Sequence, residues 1–321
     1  MNKIVKQKIA LITGGSGQIG SYQAKFLLTK NYKIFITTRN LKKENNLKKL
    51  KILKKVKIIK TNLRNEKNNV TLLKKIQPDE IYFYSGISNI KKTINNPSQT
   101  FQDNYKSCKN LIIAMKKVSP KSTFFSANSI QIFGNKQAKF NISNNNFNPT
   151  TPYAKAKLKS YLFLKKYRRK FNLRIFNGLF LNTESVLRPK FYVISKICSF
   201  VSKINKKSKT KLRLGNIDIK RDWGWCEEYV YIVWKYIQGP PDDFIIGTGK
   251  TYSLKYMIKT AFDFCGYDWK KHIKIDKSLL RKHEIQNISA NIKKTFKKTG
   301  FQPKIHGKKL IKKLIEYYKN E

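Results

Sequence analysis

Short apolar runs alternate along the first half of the chain with stretches whose apolar positions recur every three or four residues. KIALIT (Lys8 to Thr13), KIFITT (Lys33 to Thr38), VKIIK (Val56 to Lys60), EIYFYS (Glu80 to Ser85), STFFSA (Ser122 to Ala127) and the run Leu173 to Gly178 each predict a strand. Between them, Gln18 to Lys30, Pro97 to Val118 and Pro152 to Phe171 carry helical spacing. Strands alternating with helices predict an α/β fold, a doubly wound parallel sheet covered on both faces. The Asn-rich stretch Asn141 to Pro149 reads as a loop. Beyond Asn182 the alternation loosens, and helices are expected near Phe191 to Lys203, Glu227 to Gln238, Ser253 to Phe264 and Lys308 to Tyr318. The expected organisation is a nucleotide-binding domain over 1–180 and a smaller C-terminal α/β lobe over 181–321. A segment at about 215–247 is expected to return to the sheet.

Composition changes the picture in one respect. The 321 residues include 69 Lys+Arg against 18 Asp+Glu, a formal net charge of +51. With 40% hydrophobic residues the chain has enough apolar material for a core, which excludes wholesale disorder. The lysines stand singly or in pairs between apolar residues, as in LKKLKILKKVKIIK, with no basic tail, RNP motif or zinc-finger spacing. That spread reads as solvated faces, not as a specific nucleic-acid surface. It would still draw in anions, a nucleotide substrate among them. Cys108, Cys198, Cys226 and Cys265 lie far apart, and His272, His283 and His306 show no ligand spacing. No metal site and no disulfide scaffold is expected, and a reducing compartment fits best. No apolar run approaches the roughly 20 residues that span a bilayer. The N-terminal residues run straight into a strand, not a signal-peptide apolar region, so a cytoplasmic protein without a membrane anchor is expected.

The first strand pattern leads into Thr13-Gly14-Gly15-Ser16-Gly17-Gln18-Ile19-Gly20 and then a helix. Glycines at 14, 17 and 20 give G-x-x-G-x-x-G, the spacing of short-chain dehydrogenases. A tight strand-to-helix turn needs residues without Cβ, and the helix N-terminus offers N–H groups and a positive dipole end to a pyrophosphate. The sheet is therefore expected to be of Rossmann type, with Gly14, Gly17, Gln18, Ile19 and Gly20 on the dinucleotide. The second strand ends in Arg39 with no acid nearby in sequence, which favours the 2′-phosphate of NADP over NAD.

Tyr153 and Lys157 form Tyr-x-x-x-Lys, and on a helix residues four apart share a face. The Lys157 ammonium and a nicotinamide ribose would favour the ionised phenol, so that Tyr153 gives or takes a proton near neutral pH. Ser129, after the fifth strand pattern, is placed to polarise a substrate carbonyl beside the tyrosine. Tyr153 and Lys157 thus belong both to the catalytic set and to the cofactor site.

With these residues in place, the chain resembles the extended short-chain dehydrogenase/reductases, and among them the GDP-mannose 4,6-dehydratase family. The resemblance runs almost end to end. It rests on TGGSGQIGSYQAKFLL, PDEIYFYSGISN, FNPTTPYAKAKL and, most specifically, NGLFLNTES and LGNIDIKRDWGWCEEYV. Arg281-Lys282-His283-Glu284 is similar to the family's Arg-Pro-x-Glu. The resemblance implies that Asn62 and Leu63 flank the adenine and that Ser85 and Gly86 line the dinucleotide. It implies a GDP-linked sugar held by Asn182, Arg188, Lys196, Arg221, Arg281 and Glu284, and arginine suits a diphosphate because its fork is bidentate and always charged. A homo-oligomer, dimer or tetramer, is implied by analogy.

One departure bears on the reaction. Where the family reads Thr-x-Glu-x-Tyr-Gly, this chain reads Ser129-Ile130-Gln131-Ile132-Phe133-Gly134. The family's glutamate removes the C5 proton before water leaves C6. Gln131 occupies that catalytic position but has no useful basicity. The sequence therefore supports C4 hydride chemistry better than dehydration. The resemblance still implies, first, an NADP-dependent 4,6-dehydratase-like lyase that oxidises a GDP-hexose at C4 and dehydrates it to a GDP-4-keto-6-deoxy sugar. A C4 oxidoreductase, a 4-keto reductase or an epimerase on a GDP-sugar is the alternative, and a non-catalytic nucleotide-sugar and NADP-binding subunit is the alternative of another class.

Overall fold

The computed structural model describes residues 6–40, 45–134, 140–142, 146–205, 207–280 and 284–321. Six strands, β1 (Ile9–Thr13), β2 (Lys33–Thr38), β3 (Lys57–Lys60), β4 (Glu80–Phe83), β5 (Thr123–Ser129) and β6 (Ile175–Phe180), pair in parallel in the order β3-β2-β1-β4-β5-β6. Asp243–Ile246 adds a seventh strand at the β6 edge. This is the Rossmann strand order, whose reversal between β1 and β4 opens a crevice at the carboxyl ends of the strands.

Alternation along each strand divides the apolar residues between two faces. Leu11, Ile81, Phe83, Phe124 and Ile175 pack with Leu72, Leu73 and Ile76 of helix Glu66–Ile76 and with Leu111, Ile112 and Met115 of helix Ser107–Val118. The rings of Phe26, on α1 (Gln18–Leu28), and Trp234 meet edge to face at 5.5 Å, and Tyr236 stacks on Phe244 at 3.7 Å.

The chain divides into two compact units. Unit 1 comprises 1–134, 147–180 and 230–244; unit 2 comprises 135–146, 181–229 and 245–321. Of the stretch expected to return to the sheet, 230–244 belongs to unit 1, and 215–229 and 245–247 to unit 2. Unit 2 has its own core, in which helices Val193–Val201, Leu254–Phe264 and Gly307–Lys319 bury Ile194, Ile197, Met257, Ile258, Leu310 and Leu314.

Several expectations need correction: β4 ends at Phe83, two residues before Ser85, and β5 runs two residues past Ala127, to Ser129. The helix expected over 97–118 is broken: Pro97–Phe101 is α-helical, Gln102–Lys106 is a π-helical turn, and Ser107–Val118 resumes the α-helix. The π turn buries two polar residues, Asp103 and Asn104, and the Asn104 amide donates to the Thr100 and Ile87 carbonyls. The sixth strand is Ile175–Phe180, two residues later than expected, because Phe124 pairs with Ile175 and Ser129 with Phe180.

Candidate functional site

In unit 1 the chain leaves β1 at Thr13 and turns through glycines whose missing Cβ atoms are required. Gly14 has φ +68°, and a Cβ there would lie 2.9 Å from the Ser85 nitrogen. A Cβ on Gly20 would lie 2.5 Å from the Gly14 carbonyl oxygen and 2.7 Å from the Gly15 Cα. The Gly17 N–H donates to the Gly14 carbonyl at 2.9 Å, and Gly17 caps α1 without a side chain over the first-turn amides. A backbone cradle at a helix N-terminus fits a pyrophosphate. A Gly20→Ala variant is expected to cost about 1–3 kcal/mol through backbone overpacking and to lose nicotinamide-cofactor binding. Thermal unfolding with and without cofactor measures both.

The remaining cofactor candidates lie at the same ends of the strands. Ser85 and Gly86 follow β4, where Gly86 has φ +140° and a Cβ on it would run into the Asn104 side chain. Asn62 and Leu63 follow β3, with Leu63 buried and the Asn62 side chain accepting from the Arg64 N–H at 3.2 Å. Arg39 follows β2, and its Nη1 donates to Asp103 Oδ1 at 2.8 Å.

The four catalytic candidates belong to the carboxyl end of β5 and the helix beside it. Ser129 is the last residue of β5, and its hydroxyl accepts from the Gln131 N–H at 3.3 Å. Gln131 lies in a 3-10 turn, Ile130–Phe133, where Ile130, Ile132 and Phe133 are buried and Gln131 is only half-buried. Helix Pro152–Phe171 begins with Pro152 in its first turn and Thr151 accepting from the Ala154 N–H at 3.1 Å, which sets Tyr153 in the first turn. One turn on, Lys157 Nζ lies 5.9 Å from the Tyr153 ring centre and donates to the Ala127 carbonyl at 2.7 Å. That bond ties the helix to β5 two residues before Ser129. Burial lowers the Lys157 pKa to about 8. The nearby Cys108 thiol is pushed up to about 12, chiefly by burial.

The sign for Lys157 follows from that value. Its folded pKa lies below the ordinary 10.5, so the ammonium is present below about pH 8 and is lost as pH rises through that value. If the ammonium donates to a cofactor ribose, cofactor affinity of the free enzyme falls above about pH 8. A titration of Kd against pH tests this, and Lys157→Met is expected to flatten the alkaline limb.

The candidates for the sugar nucleotide lie in unit 2. Asn182 opens the short strand Asn182–Glu184, which pairs in parallel with Trp223–Trp225, and its N–H donates to the Asp222 carbonyl at 3.1 Å. Arg221, buried, donates to the Gln286 carbonyl at 3.2 Å. The Arg188 guanidinium stacks 3.4 Å over the Tyr192 ring and lies 3.8 Å from Glu184. Lys196 donates to the Arg213 carbonyl at 2.8 Å and, with Lys190, Lys203 and Phe200, lines a cavity of about 480 Å³. Glu284 is half-buried, and Arg281 lies outside the described residues.

Several charged residues stand outside the set that the sequence motifs single out. Glu184 is buried, and desolvation raises its carboxyl to about 7 against the pull of Arg188; the i,i+4 spacing of the two was its signal. Asp222, raised by burial to about 6, accepts from the Thr248 N–H and hydroxyl and from the Gly249 N–H, and it fixes the chain next to Arg221. Arg64 and Asp103 had no signal, because the contact between them spans 39 residues. Among the described residues no group of three or more His, Cys, Asp or Glu could hold a metal ion, and no helix is long and apolar enough to cross a membrane.

Comparison with known proteins gives a consistent result. The family model for GDP-mannose 4,6 dehydratase matches residues 11–314. The chain is 29% identical to GDP-mannose 4,6 dehydratase 1 of Arabidopsis thaliana over 327 residues, covering 98% of this chain and 90% of the relative. Its fold is similar to UDP-glucose 4-epimerase of Thermotoga maritima, solved with UDP-glucose (TM-score 0.85, 17% identity, 97% and 99% of the two chains). It is also similar to RMD of Pseudomonas aeruginosa, solved with NADPH (TM-score 0.79, 16% identity, 98% and 99%).

Proposed function

The chain belongs to the GDP-mannose 4,6 dehydratase family, and from that premise we propose that it is an NADP-dependent enzyme that oxidises a GDP-linked hexose at C4. The observation that carries the reading is the bond from Lys157, one turn from Tyr153 on the same helix, to the Ala127 carbonyl at 2.7 Å, two residues before Ser129 at the end of β5. A pure binding subunit has no need of all three.

A dinucleotide held by its pyrophosphate at the glycine loop would supply hydride exchange through its nicotinamide. Tyr153 takes the proton of the sugar 4-hydroxyl as C4 is oxidised. Lys157 supplies positive charge that stabilises the phenolate. The Ser129 hydroxyl donates to the developing C4 oxygen. Asn182, Arg188, Lys196, Arg221, Arg281 and Glu284 are the residues assigned to the sugar nucleotide, the arginines to its diphosphate. Full dehydration also requires removal of the C5 proton, and Gln131 stands where a carboxylate would do it. C4 oxidoreduction or epimerisation without water loss is the reading that Gln131 favours.

Incubation of the protein with NADP and GDP-mannose, followed by mass analysis and proton NMR of the sugar nucleotide, tests the proposal. A product two hydrogens lighter, or a C4 epimer, supports C4 chemistry alone, and loss of water shows dehydration. Tight binding of GDP-sugar with no turnover of any hexose would overturn the enzymatic reading.

A further inference from the structure

Asp103 is the point from which a second phosphate ligand can be recognised. Its carboxylate, almost wholly buried in the π-helical turn, accepts on one oxygen, Oδ1, from Arg39 Nη1 at 2.8 Å and from Arg64 Nε and Nη2 at 2.9 and 2.6 Å. The other oxygen accepts from the Gln99 amide at 2.9 Å. A structural ion pair needs one cation for one buried carboxylate. Here two guanidinium groups converge on a single oxygen, which leaves a net positive charge at that point. The Arg39 side chain is 57% exposed and that of Arg64 27%, so this charge faces solvent. Arg39 follows β2 and Arg64 follows β3, at the carboxyl ends of adjacent parallel strands. In a Rossmann sheet the adenosine ribose lies beside the end of the second strand. π-helical turns also tend to mark functional sites, and the only such turn among the described residues carries Asp103.

We propose that Arg64 joins Arg39 as a second cation for a phosphomonoester on the ribose 2′-oxygen, with Asp103 holding the two guanidinium groups side by side. The inference rests on the reading of the glycine loop as a nicotinamide-dinucleotide site and adds to it the residue that selects for the 2′-phosphate. Two convergent forks suit a phosphate dianion better than one, because each can donate a charge-assisted bond to a separate oxygen. The acid that accompanies them comes from Asp103, 64 residues after Arg39, where no local sequence pattern would reveal it.

The test is binding of adenosine 2′,5′-bisphosphate and of 5′-AMP to the full-length protein by calorimetry, for the wild type, Arg64→Gln and Arg39→Ala. Glutamine at 64 retains an N–H for Asp103 and removes the charge. Arg64→Gln is expected to weaken the bisphosphate by about tenfold or more while leaving 5′-AMP within about twofold. Arg39→Ala is expected to do the same. Unchanged bisphosphate affinity in Arg64→Gln overturns the proposal, and so does an equal loss of both ligands, which would mark Arg64 as structural only. If the wild type binds 5′-AMP and the bisphosphate equally well, the 2′-phosphate site is wrong and the dinucleotide reading stands. If it binds neither ligand and no NAD or NADP, both readings fall.

Discussion

Replacing Gln131 by Glu is expected to raise the rate of water loss from a GDP-hexose by about 10²- to 10⁴-fold, the usual contribution of a positioned general base. Elimination across C5 and C6 of a 4-keto sugar needs a group that accepts the C5 proton. An amide oxygen is a hydrogen-bond acceptor of negligible basicity, so Gln131 can occupy the position without performing the step. Glutamate has nearly the same volume, and the turn tolerates it: Ile130, Ile132 and Phe133 fill the packed positions, while Gln131 is half-buried and bonds to Ser129 through its backbone. Mass analysis of product from GDP-mannose and NADP reads the outcome. The expected pattern is C4 chemistry without dehydration in the wild type and a 4-keto-6-deoxy product in the variant. Rapid dehydration by the wild type, unchanged by the substitution, would show that another group removes the proton.

How much of this was legible in the sequence depends on the range of the interactions involved. The strand Lys33–Thr38 and the helix Pro152–Phe171 lie where their patterns place them, because each carries its own boundary signals: the Thr151 cap and Pro152 for the helix, polar flanks for the strand. The glycine loop was legible for the same reason, since strand, turn and helix are contiguous. Helix Glu66–Ile76 was passed over although Asn65 caps it and Glu66 opens it; its lysines and asparagines blur the apolar stripe of Leu72, Leu73 and Ile76. Strand β6 slipped by two residues because LRIFNGLF is apolar for most of its length, and only pairing with β5 fixes the register. The polar interior was the least legible part. Against a net charge of +51, the acids Glu80, Asp103, Glu184, Asp222 and Asp243 are buried, each bonded to residues distant in sequence or in a pairing that composition does not disclose. The break in the helix at Gln102–Lys106 belongs with them, since it exists where Asp103 and Asn104 turn inward.

Replacing Tyr153 by Phe is expected to lower kcat/KM for C4 oxidation by about 10²- to 10⁴-fold, with cofactor and GDP-sugar affinities within a few-fold of the wild type. The change removes one hydroxyl from a half-buried ring and leaves the Thr151 cap and the Lys157 bond to Ala127 in place, so thermal stability is expected to change little. Without the phenol no group in the first turn of the helix can take the 4-hydroxyl proton. Lys157, one turn on, is turned toward β5 by its 2.7 Å bond to the Ala127 carbonyl. Single-turnover formation of NADPH with GDP-mannose measures the loss directly, separated from product release. A Tyr153→Phe variant that reduced cofactor at the wild-type rate would move the proton acceptor elsewhere. Ser129 would not serve instead, since a neutral serine hydroxyl is not basic enough to take that proton. The assignment of Tyr153 is therefore exposed to a single substitution whose structural effect is small and whose chemical effect is large.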